Sequence, residues 1–112
     1  MTRRVVLRDL EDAEGTRYLE ARVKGDGALI IEGQDLGNGV RKIFGEGIGE
    51  YEWSYIIKKE NIPLVIKALG GQEGDDILEL ITDRCTGEDA QDLEDVIRSN
   101  KIPHEFLNWM TE

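Results

Sequence analysis

Residues 33–49 run GQDLGNGVRKIFGEGIG, with glycine at positions 33, 37, 39, 45, 47 and 49. Glycines in such a run let backbone N–H groups approach a pyrophosphate at a helix start, and the preceding ALIIE reads as a strand. Strand, glycine loop and helix opening is the order that dinucleotide sites use. Three features oppose that chemistry. VRKIF is barely more than one helical turn before Gly45; an aromatic strand and then three helices follow, with no βαβ succession; and no G-x-x-x-x-G-K-[ST] occurs. The stretch is read as a long connection that can touch a protein partner, as long loops often do. A small ligand-binding domain or enzyme using the 33–49 loop is the alternative.

Nucleophilic and metal chemistry find little to work with. His104 is the single histidine and Cys85 the single cysteine, so three or four zinc ligands of those types cannot be assembled. Cys85 falls on the apolar stripe of a predicted helix and reads as a core residue. Ser54 and Ser99 lack elbow-like surroundings, and RDLEDAEGTRYLE does not carry the register of a calcium loop. No catalytic, cofactor-binding or metal-binding residue is expected.

Carboxylates are the richer signal. The chain has 24 acidic and 14 basic residues and a net charge of −10. Residues 1–60 carry 10 basic and 12 acidic side chains, a balance of −2, whereas residues 61–112 carry 4 and 12, a balance of −8. Asp75, Glu79 and Asp83 recur every four residues and are expected on one helix face; Glu88, Asp92 and Asp95 are expected on the next helix. Like charges at that spacing disfavour a helix by about 0.2–0.5 kcal/mol per pair, and first-turn acids recover part of this through the helix dipole. The net penalty is small, so such a stripe reads either as a solvated face that keeps the domain soluble or as an acidic surface that steers a basic protein. Direct nucleic-acid binding needs clustered Lys and Arg, which the second half lacks.

The elements that must position these residues follow from periodicity. RRVVLRDL (3–10), RYLEARV (17–23) and ALIIE (28–32) read as strands, with Asp26-Gly27 as a hairpin turn. In EYEWSYIIKK (50–59), Tyr51, Trp53, Tyr55 and Ile57 share one face, which predicts a fourth strand anchored by three aromatics. The period then becomes helical: Ile62, Val65, Ile66 and Leu69, with Asn61 as N-cap and Gly70-Gly71 as the stop; then Ile77, Leu78, Ile81 and Cys85; then Ala90, Leu93, Val96 and Ile97, with Thr86 as cap. KIPHEFLNWM closes the chain, with Phe106, Leu107 and Trp109 able to pack back. The expected fold is a single α+β domain over 1–112, an antiparallel four-stranded sheet followed by three helices packed on one face. No stretch approaches the roughly 20 apolar residues of a membrane span, and no signal peptide is recognised at the N-terminus, so a cytoplasmic setting is expected. The lone cysteine agrees with it.

GQDLG (33–37), EYEW (50–53), IPLVIKALGG (62–71) and IPHEF (102–106) together resemble a set of small bacterial proteins with I-x-G-Q-D-L-G, E-Y-E-W and a terminal I-P-x-E-F-W. The resemblance runs from about Ile30 to the end; Leu107 stands where the others usually have Trp, with Trp109 nearby. It implies a shared fold and a bacterial, cytosolic setting, and no activity or catalytic residue. The expected function is non-catalytic binding of a basic protein partner by an acidic inhibitor or immunity-type protein.

Overall fold

The computed structural model describes residues 3–111. Five strands, β1 (Arg4–Asp12), β2 (Gly15–Val23), β3 (Leu29–Leu36), β4 (Glu50–Ile57) and β5 (Glu105–Thr111), form one antiparallel sheet in the order β1-β2-β3-β4-β5. Four helices accompany them: α1 (Asn38–Phe44) between β3 and β4, then α2 (Ile62–Ala68), α3 (Ile77–Cys85) and α4 (Leu93–Ser99) between β4 and β5. The class is α+β, but the expected four strands and three helices are corrected to five and four. The C-terminal segment does not pack back as a tail. It returns to the sheet and pairs with β4 from Ile56↔Glu105 to Glu50↔Thr111.

Register explains which face is covered. Leu19, Gly33 and Trp53 lie side by side, as do Ala21, Ile31 and Tyr55, and Val23, Leu29 and Ile57. These rows face the helices, and their side chains join Val65, Leu69, Ile81, Leu93 and Ile97 in one buried core. Trp53, Tyr55 and Ile57 are buried as the alternation of β4 demands, while Tyr51 at the end of the row is half-buried. Two polar contacts fasten α4 to this strand: the Trp53 indole N–H donates to Glu94 Oε2 at 2.8 Å, and Arg98 donates to the Tyr55 hydroxyl. Among the described residues the opposite face of the sheet carries no helix.

Gly33 is the glycine that packing requires. A Cβ there would lie 2.1 Å from Trp53 Cζ2, so the indole lies directly across the β3 backbone. Gly15 and Gly37 meet at the β1–β2 turn. Both have positive φ, 123° and 103°, and a Cβ on Gly15 would strike the Leu36 carbonyl oxygen.

Helix boundaries follow capping chemistry. Asp76 is the N-cap of α3 and accepts from Leu78 and Glu79 N–H at 3.0 and 3.1 Å. Asp92 caps α4, accepting from Asp95 N–H at 3.1 Å, so that helix starts at Leu93 and Ala90 lies before it. Thr86 does not start it; its hydroxyl donates to Thr82 O at 2.6 Å and closes the end of α3. Asn61 makes no side-chain cap to α2, because a 3-10 turn over Lys59–Asn61 leads straight into that helix. β3 runs on to Leu36, beyond the expected end at 32.

Candidate functional site

The sequence singles out six acids, and the structure separates them into four settings. Glu79 and Asp83 lie on α3 with exposed side chains, one turn apart. Asp75 precedes that helix and accepts from Gln72 N–H at 2.8 Å, closing a turn. Glu88 belongs to the connection between α3 and α4 rather than to a helix. Asp92 is a cap, and Asp95 sits in the first turn of α4, where Ser99 Oγ donates to it at 3.2 Å. The second expected helical stripe is therefore corrected to a connecting segment that runs into a helix start. All six residues are exposed.

Their electrostatic setting is one-sided. Among the described residues every ion pair draws its cation from residues 3–42: Arg3 with Asp76, Arg4 with Glu20, Arg17 with Asp12, Arg22 with Glu32, Lys24 with Asp26, and Lys42 with Glu14. Of the acids from Glu73 to Glu105, Asp76 alone enters such a pair. Arg84 and Arg98, which could neutralise the helical half, point elsewhere: Arg84 Nε donates to the Leu69 carbonyl, and Arg98 to Tyr55. Among the described residues the exposed carboxylates of α3, the 86–92 connection and the first turn of α4 thus enter no ion pair, although Arg3 lies near Glu79 and Arg98 near Glu94 and Asp92.

A second acidic group lies on the helix-free face of the sheet, where sequence alone does not assemble it. Gln34, Glu52 and Trp109 share one cross-strand row, next to that of Leu36, Glu50 and Thr111. Gln34 Nε2 donates to Glu50 Oε1 at 2.8 Å and to Glu52 Oε1 at 2.9 Å, while Thr111 Oγ1 donates to Glu50 Oε2 at 2.9 Å. The two carboxyls are close enough to divide their titration. Hydrogen bonds from Glu52, Gln34 and Thr111 hold Glu50 below the usual carboxylate range, and its bond to Glu50, with burial, pushes Glu52 up. Beside them a shallow groove of about 250 Å³ is walled by Tyr18, Glu20, Glu32 and Trp109. The alternation of Glu50 and Glu52 is visible in EYEW; the bridging role of Gln34 depends on the β3–β4 register.

The remaining candidates are occupied by structural work. Burial pushes the Cys85 thiol up to about 11, with the Asp92 charge adding to it, which removes the thiolate a nucleophile needs. His104 Nδ1 lies 2.7 Å from the Ile102 carbonyl oxygen, and the ring packs against Tyr55 at 5.3 Å. In the glycine stretch, α1 is a seven-residue helix rather than a single turn, and Gly45 ends it at φ 114°. The amides a phosphate would need are already engaged: Gly37 N–H donates to Gly49 O, and Gly39 N–H to Glu14 O. Asp35, from the same motif, is half-buried; desolvation raises its pKa against the pull of Arg8 and Arg17. Among the described residues no group of three or more His, Cys, Asp or Glu is arranged to hold a metal ion. No described helix is long and apolar enough to cross a membrane.

No protein-family model matches the chain, and neither a curated protein nor a solved structure does.

Proposed function

We propose that this chain is a non-catalytic, acidic protein-binding domain that covers a basic protein, in the manner of an inhibitor or immunity-type protein. One observation carries the reading. Among the described residues Asp76 is the only acid from Glu73 to Glu105 in an ion pair, whereas six of the ten basic residues of the first half stand in one. Unpaired carboxylates of one sign repel each other and slightly weaken the helices that carry them. A basic partner would reverse that penalty and be drawn to the surface at long range.

The test is titration calorimetry against candidate basic toxins and nucleases over a salt series. Affinity is expected to fall steeply with salt. Glu79→Lys with Asp83→Lys should weaken binding roughly tenfold at low salt, through slower association. Both positions are exposed and neither caps a helix, so the fold is retained. Binding that ignores salt and both reversals would defeat the reading. Stabilisation by a nucleotide in a thermal-shift screen would favour use of the 33–49 loop instead.

A further inference from the structure

The sheet has two edges, and they are built differently. β1 is interrupted: its register with β2 shifts between Val6 and Arg8, and it carries Arg4, Arg8, Asp9, Glu11 and Asp12. A bulge and alternating charges are the usual means of stopping an edge strand from pairing with another chain. β5 has neither. Its register with β4 is unbroken over seven residues, and EFLNWMT contains no Lys, no Pro and one charge. Phe106, Leu107, Trp109 and Met110 remain 44%, 49%, 44% and 46% exposed.

The backbone of β5 shows which groups are free. The Thr111 carbonyl accepts from Gly49 N–H at 3.1 Å, so Thr111, and by alternation Trp109, Leu107 and Glu105, direct their backbone groups at β4. Phe106, Asn108 and Met110 direct theirs at the open edge. A second β5, running antiparallel with Asn108 opposite Asn108, would place Phe106 opposite Met110 and Leu107 opposite Trp109. Outward-facing residues would then meet outward-facing residues in hydrogen-bonded pairs. On the helical side an aromatic ring would meet a thioether twice, and on the open side an indole would meet a leucine twice. Glu105 would face Thr111, so no like charges would be opposed. Shifting the dyad by one residue, onto Leu107, sets Glu105 against Trp109 and Phe106 against Asn108, so the Phe106–Met110 and Leu107–Trp109 pairings are lost.

We infer that β5 is a self-complementary edge through which two copies of this chain pair antiparallel about a two-fold axis at Asn108, making one continuous ten-stranded sheet. Such an interface is isologous and closes at two. It is also small, so the dimer forms reversibly rather than obligately. Each copy carries a net charge of −10, so salt promotes the dimer by screening. This is opposite in sign to the salt effect expected for a basic partner, and the two readings fail independently.

Sedimentation equilibrium from about 1 to 300 µM is expected to show a mass rising from 12.7 kDa toward twice that value, more readily at high salt. Asn108→Pro removes an N–H that β4 does not use, a substitution edge strands tolerate, and should hold the chain monomeric. Met110→Lys, an exposed position, provides the same readout if the proline variant does not fold. In the proposed register the Asn108 Cα atoms lie about 5.5 Å apart, within disulfide reach, so Asn108→Cys should crosslink under mild oxidation. Thr111→Cys, about 20 Å from its counterpart, should not. A chain that stays at 12.7 kDa throughout, or a dimer that survives the folded variants and crosslinks no faster at 108 than at 111, overturns the inference.

Discussion

Asp76 joins the start of the chain to the helical layer, and its removal has a calculable cost. Its Oδ1 caps α3 through Leu78 and Glu79 N–H, and both oxygens receive the Arg3 guanidinium at 2.7 and 2.8 Å. The Arg3 hydrogen bond first, then the backbone donors, hold its carboxyl at about 2 against an ordinary 3.8. By linkage such a shift alone would be worth roughly 2.4 kcal/mol. The side chain is 34% exposed and its partner 56%, so solvent screening reduces the expected figure to about 1–1.5 kcal/mol. Loss of an N-cap gives a similar figure of about 1 kcal/mol by itself. Because the folded pKa is depressed, this stability is present above about 3.8 and is lost as pH falls toward 2. Asp76→Ala should therefore lower urea-unfolding stability by about 1–1.5 kcal/mol at pH 6, and the gap between variant and parent should shrink as pH approaches 2. Asp76→Asn, which keeps the capping oxygen and discards the charge, should cost less than Asp76→Ala at pH 6. A gap that is the same at pH 6 and pH 2, or an Asn variant as damaged as the Ala variant, would refute the assignment of cap and ion pair to this one carboxylate.

Two further outcomes test the core. Gly33→Ala places a methyl group 2.1 Å from the Trp53 ring, so the indole must move; a loss of about 1–3 kcal/mol in chemical denaturation is expected, together with a shift in tryptophan emission. A neutral substitution would mean that the indole does not lie across β3. Cys85, buried and with its thiol pushed up to about 11, should react with a disulfide reagent at pH 7.5 only as fast as the fold opens. Labelling as fast as that of a free thiol would show the α3 face to be open.

Parts of this architecture were legible because they are local. Period-two alternation in EYEWSYII marks Trp53, Tyr55 and Ile57 as core, and the structure buries all three. The spacing of Ile77, Leu78, Ile81 and Cys85 likewise marks the inner face of α3. Cap positions were harder: Asp75 and Asp76 are adjacent, and only backbone geometry decides which one receives the helix amides. The Glu50–Gln34–Glu52 cluster could not be read, since it depends on aligning residue 34 with 52 across two strands.

The chain by itself determines where apolar faces lie, where charge accumulates and which turns need glycine, because each of these is a property of neighbours in sequence. Only tertiary structure decides the fate of EFLNWMT. Phe106, Leu107, Trp109 and Met110 fall on both faces, so the segment carries no alternation to announce a strand. It becomes one because β4, already buried by its aromatics, still has an unpaired row of backbone groups, and α4 ends close enough for the chain to return and satisfy them. The same reasoning leaves the outer row of β5 unsatisfied within a single copy, and that row is where a second copy is expected.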